Sequence, residues 1–337
     1  MEFGIFSNGL RPNRSPDAAW DEDMFEVELA DQLGFREAWI SEHSSPAELL
    51  IARAAGTTRQ IKLGAAVRLL PLYHPVQVAV EANVCDQLTH GRYQFGFGIG
   101  FFPNKMLERG IDPACGREMM LECLDLVLRC WQEPEPFDFD GRFWSGRQVA
   151  VRPKPFQQPH PPVGVACMGS RETVELAGRR GFMPLFSHLD TASRMATELA
   201  SYDAAAPRSA RSAVRACRMV YVSGSVAQAK KELRPTLEVA FETEKRTTPH
   251  HFERWVAPGQ NILDLTFDEL VEAGRYVIGD PDTVAQQLAE FYHQTGGFGV
   301  LMLHMGRDYG EREHRARSMR LFAEAVAPQL RDLVPPG

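Results

Sequence analysis

Short apolar runs alternate with amphipathic stretches from one end of this chain to the other, and no other feature constrains the fold as much. Eight runs read as strands: "EFGIFS" (2–7), "REAWIS" (36–41), "IKLGAAV" (61–67), "RYQFGFG" (92–98), "PVGVAC" (162–167), "FMPLF" (182–186), "RACRMVYVS" (215–223) and "GVLMLH" (299–304). Helical periodicity occupies 21–34, 46–58, 75–89, 116–132, 171–180, 190–204, 225–242 and 281–295. Apolar strands alternating with helices bury both of their faces, and eight such units predict a (β/α)8 TIM barrel. A doubly wound open sheet is the competing arrangement, and it normally uses fewer units.

Two stretches break the rhythm. "PEPFDFDGRFWSGRQVAVRPKPFQQPHPP" (134–162) reads as a hairpin followed by a Pro-rich connector, and 243–278 is long and mixed. Both are expected to be insertions over the C-terminal face of the strands, because long irregular segments in compact proteins tend to be functional lids. Neither an internal repeat nor a low-complexity linker divides the 337 residues, so a single domain, 1–337, is expected.

Composition narrows the partners. With 44% hydrophobic and 24% charged residues the chain has the make-up of a soluble globular protein with a sizeable core. A net charge of −7 without Lys/Arg runs argues against a nucleic-acid surface, which needs clustered positive charge. There is neither an apolar stretch of membrane-spanning length nor a basic-then-apolar N-terminus, so a cytoplasmic protein without a membrane partner is expected. Six cysteines lie scattered without CxxC spacing, which fits reduced thiols and gives no metal site.

Barrel geometry directs attention to the carboxyl ends of strands, where catalytic groups gather. "EAWISEH" (37–43) runs apolar and then ends on Glu42 and His43, which makes them candidate catalytic residues. The competing reading is a solvated loop histidine beside a helix-entry carboxylate. "FGFGIGFF" (95–102) is not a dinucleotide fingerprint, because Gly96, Gly98 and Gly100 alternate and the next helix starts near Gly116. Alternating glycines strip one strand face, so that a flat ring or another backbone can come close; a barrel's need for small inward residues explains them equally well. "CMGSRETVELAGRRG" (167–181) places Gly169, Ser170, Arg171 and Thr173 at the start of a helix after a strand. Free backbone N–H groups, hydroxyls and an arginine suit a phosphate there, unless Ser170 is only a helix cap with Thr173 on the surface. A phosphate site and glycine-thinned strands at one end of a barrel suggest a phosphorylated flat cofactor such as FMN. Tyr73 and His74 either line the pocket or form the turn into a helix. His250, His251 and His304 read as surface or core residues rather than metal ligands, and Asp280 with Pro281 as a helix start.

Several of these stretches also carry a resemblance. Through "EAWISEH", "KLGAAVRLLPLYHPV", "EANVCDQLTHGRYQFGFGIG", "PHPPVGVACMGS", "LAGRRG" and "VIGDPDTVAQQLAEFYHQTGGFGVLML", the chain resembles the luciferase-like flavin monooxygenases of the bacterial luciferase superfamily. "GIDPACGREMMLECL" and the segment from "QTGGFGVLMLHMGRDYG" to "FAEAVAPQL" are similar to its limonene monooxygenase-like branch. The resemblance implies a barrel, usually a homodimer, that takes reduced FMN (FMNH2) from a separate flavin reductase. With O2 it would form a flavin hydroperoxide and insert one oxygen atom into a small apolar substrate, a terpenoid, a ketone or similar. His43 falls on the family histidine over the flavin and Glu42 on its neighbouring acid. Ala66 and Val67 fall on the third-strand segment behind the isoalloxazine, often a cis non-prolyl peptide, and Asn83 on a polar position of the next helix. Gly169, Ser170 and Thr173 fall in the phosphate loop. Ser44 replaces a second histidine and Gly98 a cysteine of luciferase itself, which speaks against light emission. Arg68, Phe101, Phe102 and Trp144 are candidate wall residues. A deazaflavin-dependent hydride-transfer enzyme and a non-catalytic flavin-binding subunit are the alternatives on this fold.

Overall fold

All eight apolar runs are strands of one closed parallel barrel. In the computed structural model, which describes residues 1–9, 11, 14–43, 45–100, 103–207, 210–247, 249, 252–253, 255–256, 259–305 and 309–336, the barrel strands are β1 (Glu2–Ser7), β2 (Glu37–Ile40), β3 (Lys62–Ala65), β5 (Tyr93–Gly98), β8 (Val163–Cys167), β9 (Met183–Phe186), β10 (Arg215–Val222) and β12 (Val300–Met305). They pair in that order, and Arg215 closes the ring by lying beside both Leu185 and Val300. After β3 the chain breaks at a cis Ala66–Val67 peptide and resumes pairing with β5 as β4 (Arg68–Leu69).

Side chains alternate along each strand, as the pleat requires. On β12, Val300 and Met302 point into the barrel, while Leu301, Leu303 and Met305 join the core under the helices. Trp39 fills the interior, and its ring explains two of the glycines. A Cβ on Gly64 would lie 2.4 Å from that ring, and one on Gly96 would lie 2.9 Å from it and 1.9 Å from the Ala65 carbonyl oxygen. Below, Trp39 Nε1 donates to Glu37 at 2.7 Å, and Arg215 donates to the same carboxylate at 2.9 and 3.0 Å. Burial alone would raise the Glu37 pKa; the Arg215 charge together with the hydrogen bonds from Arg215 and Trp39 and the Arg36 charge outweighs it and holds the carboxyl below its ordinary range.

The predicted helices form α1 (Pro16–Gln32), α2 (Ala47–Thr57), α3 (Pro75–Leu88), α5 (Gly116–Gln132), α6 (Arg171–Arg180), α7 (Ala192–Ala205) and α11 (Pro281–Thr295), with the short α4 (Asn104–Leu107) before α5. The stretch predicted at 225–242 is α8 (Val226–Leu233), which continues through a π turn into α9 (Val239–Thr247). Asp280 caps α11 as expected, accepting from Thr283 N at 3.0 Å, a contact worth about 1 kcal/mol. Several elements escaped the sequence reading, among them the short α4 and α10 (Phe267–Glu272). Tyr276–Gly279, overlapping the end of the stretch read as an insertion, is a further parallel strand, β11, on the outer half of β10. A helix, α12 (Arg312–Leu321), follows β12. Among the described residues no helix is long and apolar enough to cross a membrane.

The two long segments also differ in placement. That at 243–278 supplies Phe252, Trp255, Leu265 and Tyr276 to a second apolar cluster with Phe241 and Leu237, above the barrel mouth. That at 134–162 forms a hairpin, β6 (Phe137–Asp140) with β7 (Ser145–Val149), and a connector lying along α3 and α5. Its turn is held by Glu122, which accepts from Phe143 N at 3.0 Å. None of its residues lines the cavity described next, because its polar backbone is satisfied by the outer helices instead.

Candidate active site

The carboxyl ends of the strands enclose a cavity of about 250 Å³. Phe6, Leu185, Cys217 and Met302 floor it, Ala66, Val67, Ile99 and Ala166 form one wall, and Phe241, Phe252, Trp255 and Tyr276 roof it. Polar side chains enter at few points: Asn8, Glu42, His43, Lys105, Ser187, His188 and Glu244.

His43 reaches the cavity because β2 ends there. Its Nδ1 lies 3.0 Å from the Asn8 carbonyl oxygen, which can only accept, so Nδ1 carries a proton and Nε2 is the basic nitrogen of the neutral ring. Glu42 also lines the cavity, but its carboxylate is committed: one oxygen accepts from Leu69 N at 3.0 Å and the other from the Tyr73 hydroxyl. Burial, then the Glu42 carboxylate, push the Tyr73 phenol well above its ordinary pKa. Arg68 lies over the Tyr73 ring at 3.5 Å and pairs with Glu48 at 2.9 Å and with Glu81 at 2.5 Å. Glu42 thus anchors the chain just beyond the cis Ala66–Val67 bond, and that bond forms part of the wall. Lys105 of α4 donates to the carbonyl oxygens of Glu42 and His43, 2.8 Å each, which ties α4 to the end of β2. Burial lowers its pKa from the ordinary lysine value.

The candidate phosphate loop follows β8, immediately after Met168, a lining residue. Ser170 Oγ accepts from Thr173 N at 3.3 Å and donates to Glu172 at 2.8 Å, so its hydroxyl serves as the helix cap. Buried Thr173 accepts from Arg117 of α5 at 3.0 Å. The Thr173 hydroxyl and Arg117 therefore meet at the first turn of α6, but Gly169, Ser170, Thr173 and Arg117 do not themselves line the cavity, whose wall on this strand ends at Met168.

Other expectations are corrected. Asn83 does not face the cavity: it is fully buried on α3 and donates to the Pro153 carbonyl oxygen at 2.7 Å, holding the connector. Gly98 is not a lining residue either; the space its side chain would take is filled by Val67, whose Cγ2 lies 2.7 Å from the Cβ position. Arg68 and Trp144 are absent from the walls. Tyr73 instead serves Glu42, and His74 caps α3 by accepting from Val76 N at 3.3 Å. His304 is a satisfied core residue, between Asn8 Nδ2 at 3.2 Å and the Tyr309 hydroxyl at 2.6 Å. Ser44, Phe101, Phe102, His250 and His251 lie outside the described residues. Asn8, Lys105, Arg117, His188 and the aromatic roof were missed. The strand-end rule that singled out Glu42 and His43 applies equally to Asn8 after β1 and to His188 after β9.

The comparisons agree with this geometry. A family model for luciferase-like monooxygenases matches residues 1–298. The 4-hydroxyprotoasukamycin monooxygenase of Streptomyces nodosus subsp. asukaensis is 31% identical, over 98% of this chain and 92% of its own. Limonene 1,2-monooxygenase of Rhodococcus erythropolis is 28% identical, over 97% of this chain and 86% of its own. The oxygenating constituent of 3,6-diketocamphane monooxygenase from Pseudomonas putida, a type II Baeyer–Villiger monooxygenase solved with FMN, superposes with a TM-score of 0.86 at 26% identity, covering 100% of this chain and 99% of that one. With the barrel, the strand-end histidine and a family match over most of its length, this chain is an enzyme that belongs to the luciferase-like monooxygenases.

Proposed function

We propose that this chain is the oxygenase component of a two-component system, which receives reduced FMN from a separate flavin reductase and transfers one atom of O2 to a small apolar substrate, a terpenoid or a ketone. The observation that carries the reading is a cavity with an apolar wall at Ala66 and Val67 and a strand-end histidine, followed in the chain, directly after its lining residue Met168, by a phosphate-suited helix start. The donor set fits FMN. First-turn N–H groups of α6, the Thr173 hydroxyl and the Arg117 guanidinium suit the phosphate, and the short side chains of Ala66 and Val67 suit a flat ring. The FMN-bound relative and its description as an oxygenating constituent support both the cofactor and the reductase.

Reduced FMN, when bound, supplies the two electrons with which O2 is split between substrate and water. His43 Nε2, the basic nitrogen of the ring, takes up a proton from solvent and delivers it to the oxygen atom that leaves as water, while Nδ1 stays hydrogen-bonded to the Asn8 carbonyl oxygen. Glu42 holds the wall through Leu69. The aromatic roof, with Lys105 tying down α4, excludes water.

The test supplies the purified protein with FMN, a flavin reductase, NADH and 18O2, and offers cyclic ketones and terpenes. Product carrying one 18O atom is expected. Substrate reduction without oxygen uptake, or hydrogen peroxide as the sole product across the panel, would overturn the reading.

A further inference from the structure

Among the described residues, the polar side chains that enter the cavity directly from strand ends lie on one side of it. Reading the strands in their spatial order β9, β10, β12, β1, β2, the side chains form a continuous arc. His188, after β9, stacks on His304 of β12 with ring centroids 4.1 Å apart. His304 meets Asn8, after β1, and the Asn8 carbonyl oxygen accepts from His43, after β2. The opposite side, along β3, β5 and β8, contributes Ala66, Val67, Ile99 and Ala166. In the eight-stranded ring β2 and β9 are four places apart, so the two cavity histidines face each other across the mouth.

His188 is presented by a turn built to hold it. Ser187 N donates to Asp190 Oδ2 at 3.2 Å, Leu189 N to Ser187 Oγ at 3.2 Å, and Asp190 N to the Ser187 carbonyl oxygen at 3.2 Å. From outside, Arg218 donates to the Asp190 carbonyl oxygen at 2.8 Å, and Trp255 Nε1 to that of Leu189 at 3.0 Å. The Trp255 ring stands edge-on to His188, with centroids 6.4 Å apart. A half-buried imidazole on a turn held this firmly, between an aromatic roof and an apolar floor, is a preorganised polar contact in a largely apolar site.

We infer that His188 is a specificity-determining residue, which orients the substrate by a hydrogen bond to an oxygen function carried on an apolar ring body seated under Phe241, Phe252 and Trp255. This rests on the oxygenase reading and names its substrate class: oxygenated cyclic hydrocarbons rather than plain ones. His304, held by Asn8 and Tyr309, is the positioning residue behind it.

Binding tests this without turnover. Protein saturated with oxidised FMN is titrated with three ligands of one shape, camphor, borneol and bornane, by calorimetry or by displacement. His188→Phe keeps a ring against His304 but removes the nitrogen atoms; His188→Gln keeps a polar group. In His188→Phe, camphor should weaken by about fivefold to tenfold, the effect of one neutral hydrogen bond, while bornane stays within twofold and FMN affinity is unchanged. His188→Gln should recover part of the camphor affinity. A loss for borneol as well as camphor indicates recognition of any oxygen, and a loss for camphor alone indicates a carbonyl; both support the assignment. An unchanged camphor affinity in His188→Phe, an equal loss for bornane, or no binding of any of the three overturns it. Failure of the oxygenase reading would appear separately, as weak FMN binding or absent 18O transfer in the unaltered protein.

Discussion

Replacing Glu42 separates two roles that the same position allows. Its carboxylate accepts from Leu69 N at 3.0 Å and from the Tyr73 hydroxyl, and it is almost wholly buried. Glu42→Ala strands both donors, at about 1–3 kcal/mol each, and leaves a void, so a loss of about 3–5 kcal/mol in stability and weaker FMN binding are expected. Glu42→Gln is different. The amide oxygen can take the Leu69 N–H, the amide nitrogen can donate to the Tyr73 oxygen, and the Tyr73 hydroxyl proton turns away. Arg68 keeps Glu48 and Glu81, so the loss should be only about 1 kcal/mol. If Glu42 positions the Ala66–Val67 wall, Glu42→Gln should form product within about threefold of wild type, because geometry survives. If Glu42 transfers a proton, an amide cannot replace it, and the rate should fall by about 10²–10⁴. Thermal unfolding and product formation on the best ketone of the panel, measured on the same preparations, decide between them. A stable Glu42→Gln protein that has lost a hundredfold or more in rate would refute the positioning role.

Four further outcomes are expected. His43→Ala should fold and bind FMN normally while giving less product and more hydrogen peroxide per FMNH2 oxidised; unchanged coupling in a peroxide assay would remove His43 from the chemistry. Anaerobic calorimetry should find riboflavin bound at least a hundredfold more weakly than FMN, and Arg117→Met should weaken FMN about tenfold without affecting riboflavin, since one charge-assisted hydrogen bond is worth about 1.5–3 kcal/mol; equal affinities would place the phosphate elsewhere. Gly96→Ala should prevent folding or lower the melting temperature sharply, because its Cβ would sit 1.9 Å from the Ala65 carbonyl oxygen, and a melt within 2–3 °C of wild type, about 1 kcal/mol, would contradict the barrel packing. Glu232 should contribute to acid stability: burial alone would raise its pKa, but Tyr221 and Arg317, 2.6 Å each, and Gln228, 2.9 Å, hold it at about 2. A depressed carboxyl gives stability that is complete above its ordinary pKa and lost as pH falls from about 4.5 toward about 2. Allowing for partial solvent screening, Glu232→Gln should therefore abolish about 1–2 kcal/mol of the acid-induced loss in urea midpoints between pH 5 and 3, and identical pH slopes would count against it.

What could be read from the sequence was whatever a local pattern encodes. Strands buried on both faces and helices with an apolar stripe announce themselves by period, and so did the ends of β2 and β8, where polar residues follow apolar ones. Elements held by distant partners did not. α12, "REHRARSMRL", has no apolar stripe because its inward face includes Arg315, fully buried against Glu22 and Glu26 of α1. β11 exists only because β10 runs eight residues, leaving an outer half free to pair after β12 has taken the inner one.

The site divides along the same line. Glu42 and His43 were visible as strand-end residues, but what each does depends on groups far along the chain: Tyr73 and Leu69 for Glu42, the Asn8 carbonyl for His43. Gly98 and Asn83 show the converse. A glycine on an alternating strand marks a close approach without saying what approaches, and here it is Val67, from the break between β3 and β4. An asparagine on a helix reads as a polar contact without saying with what, and here it is the connector at Pro153. Residue type therefore fixed the kind of contact, and topology chose the partner. The same reasoning leads to His188, which carries no motif at all. The strand-end rule reaches it, but its role appears only when β9 is seen to lie across the barrel from β2, with Arg218, Trp255 and His304 converging on its turn from three other parts of the chain.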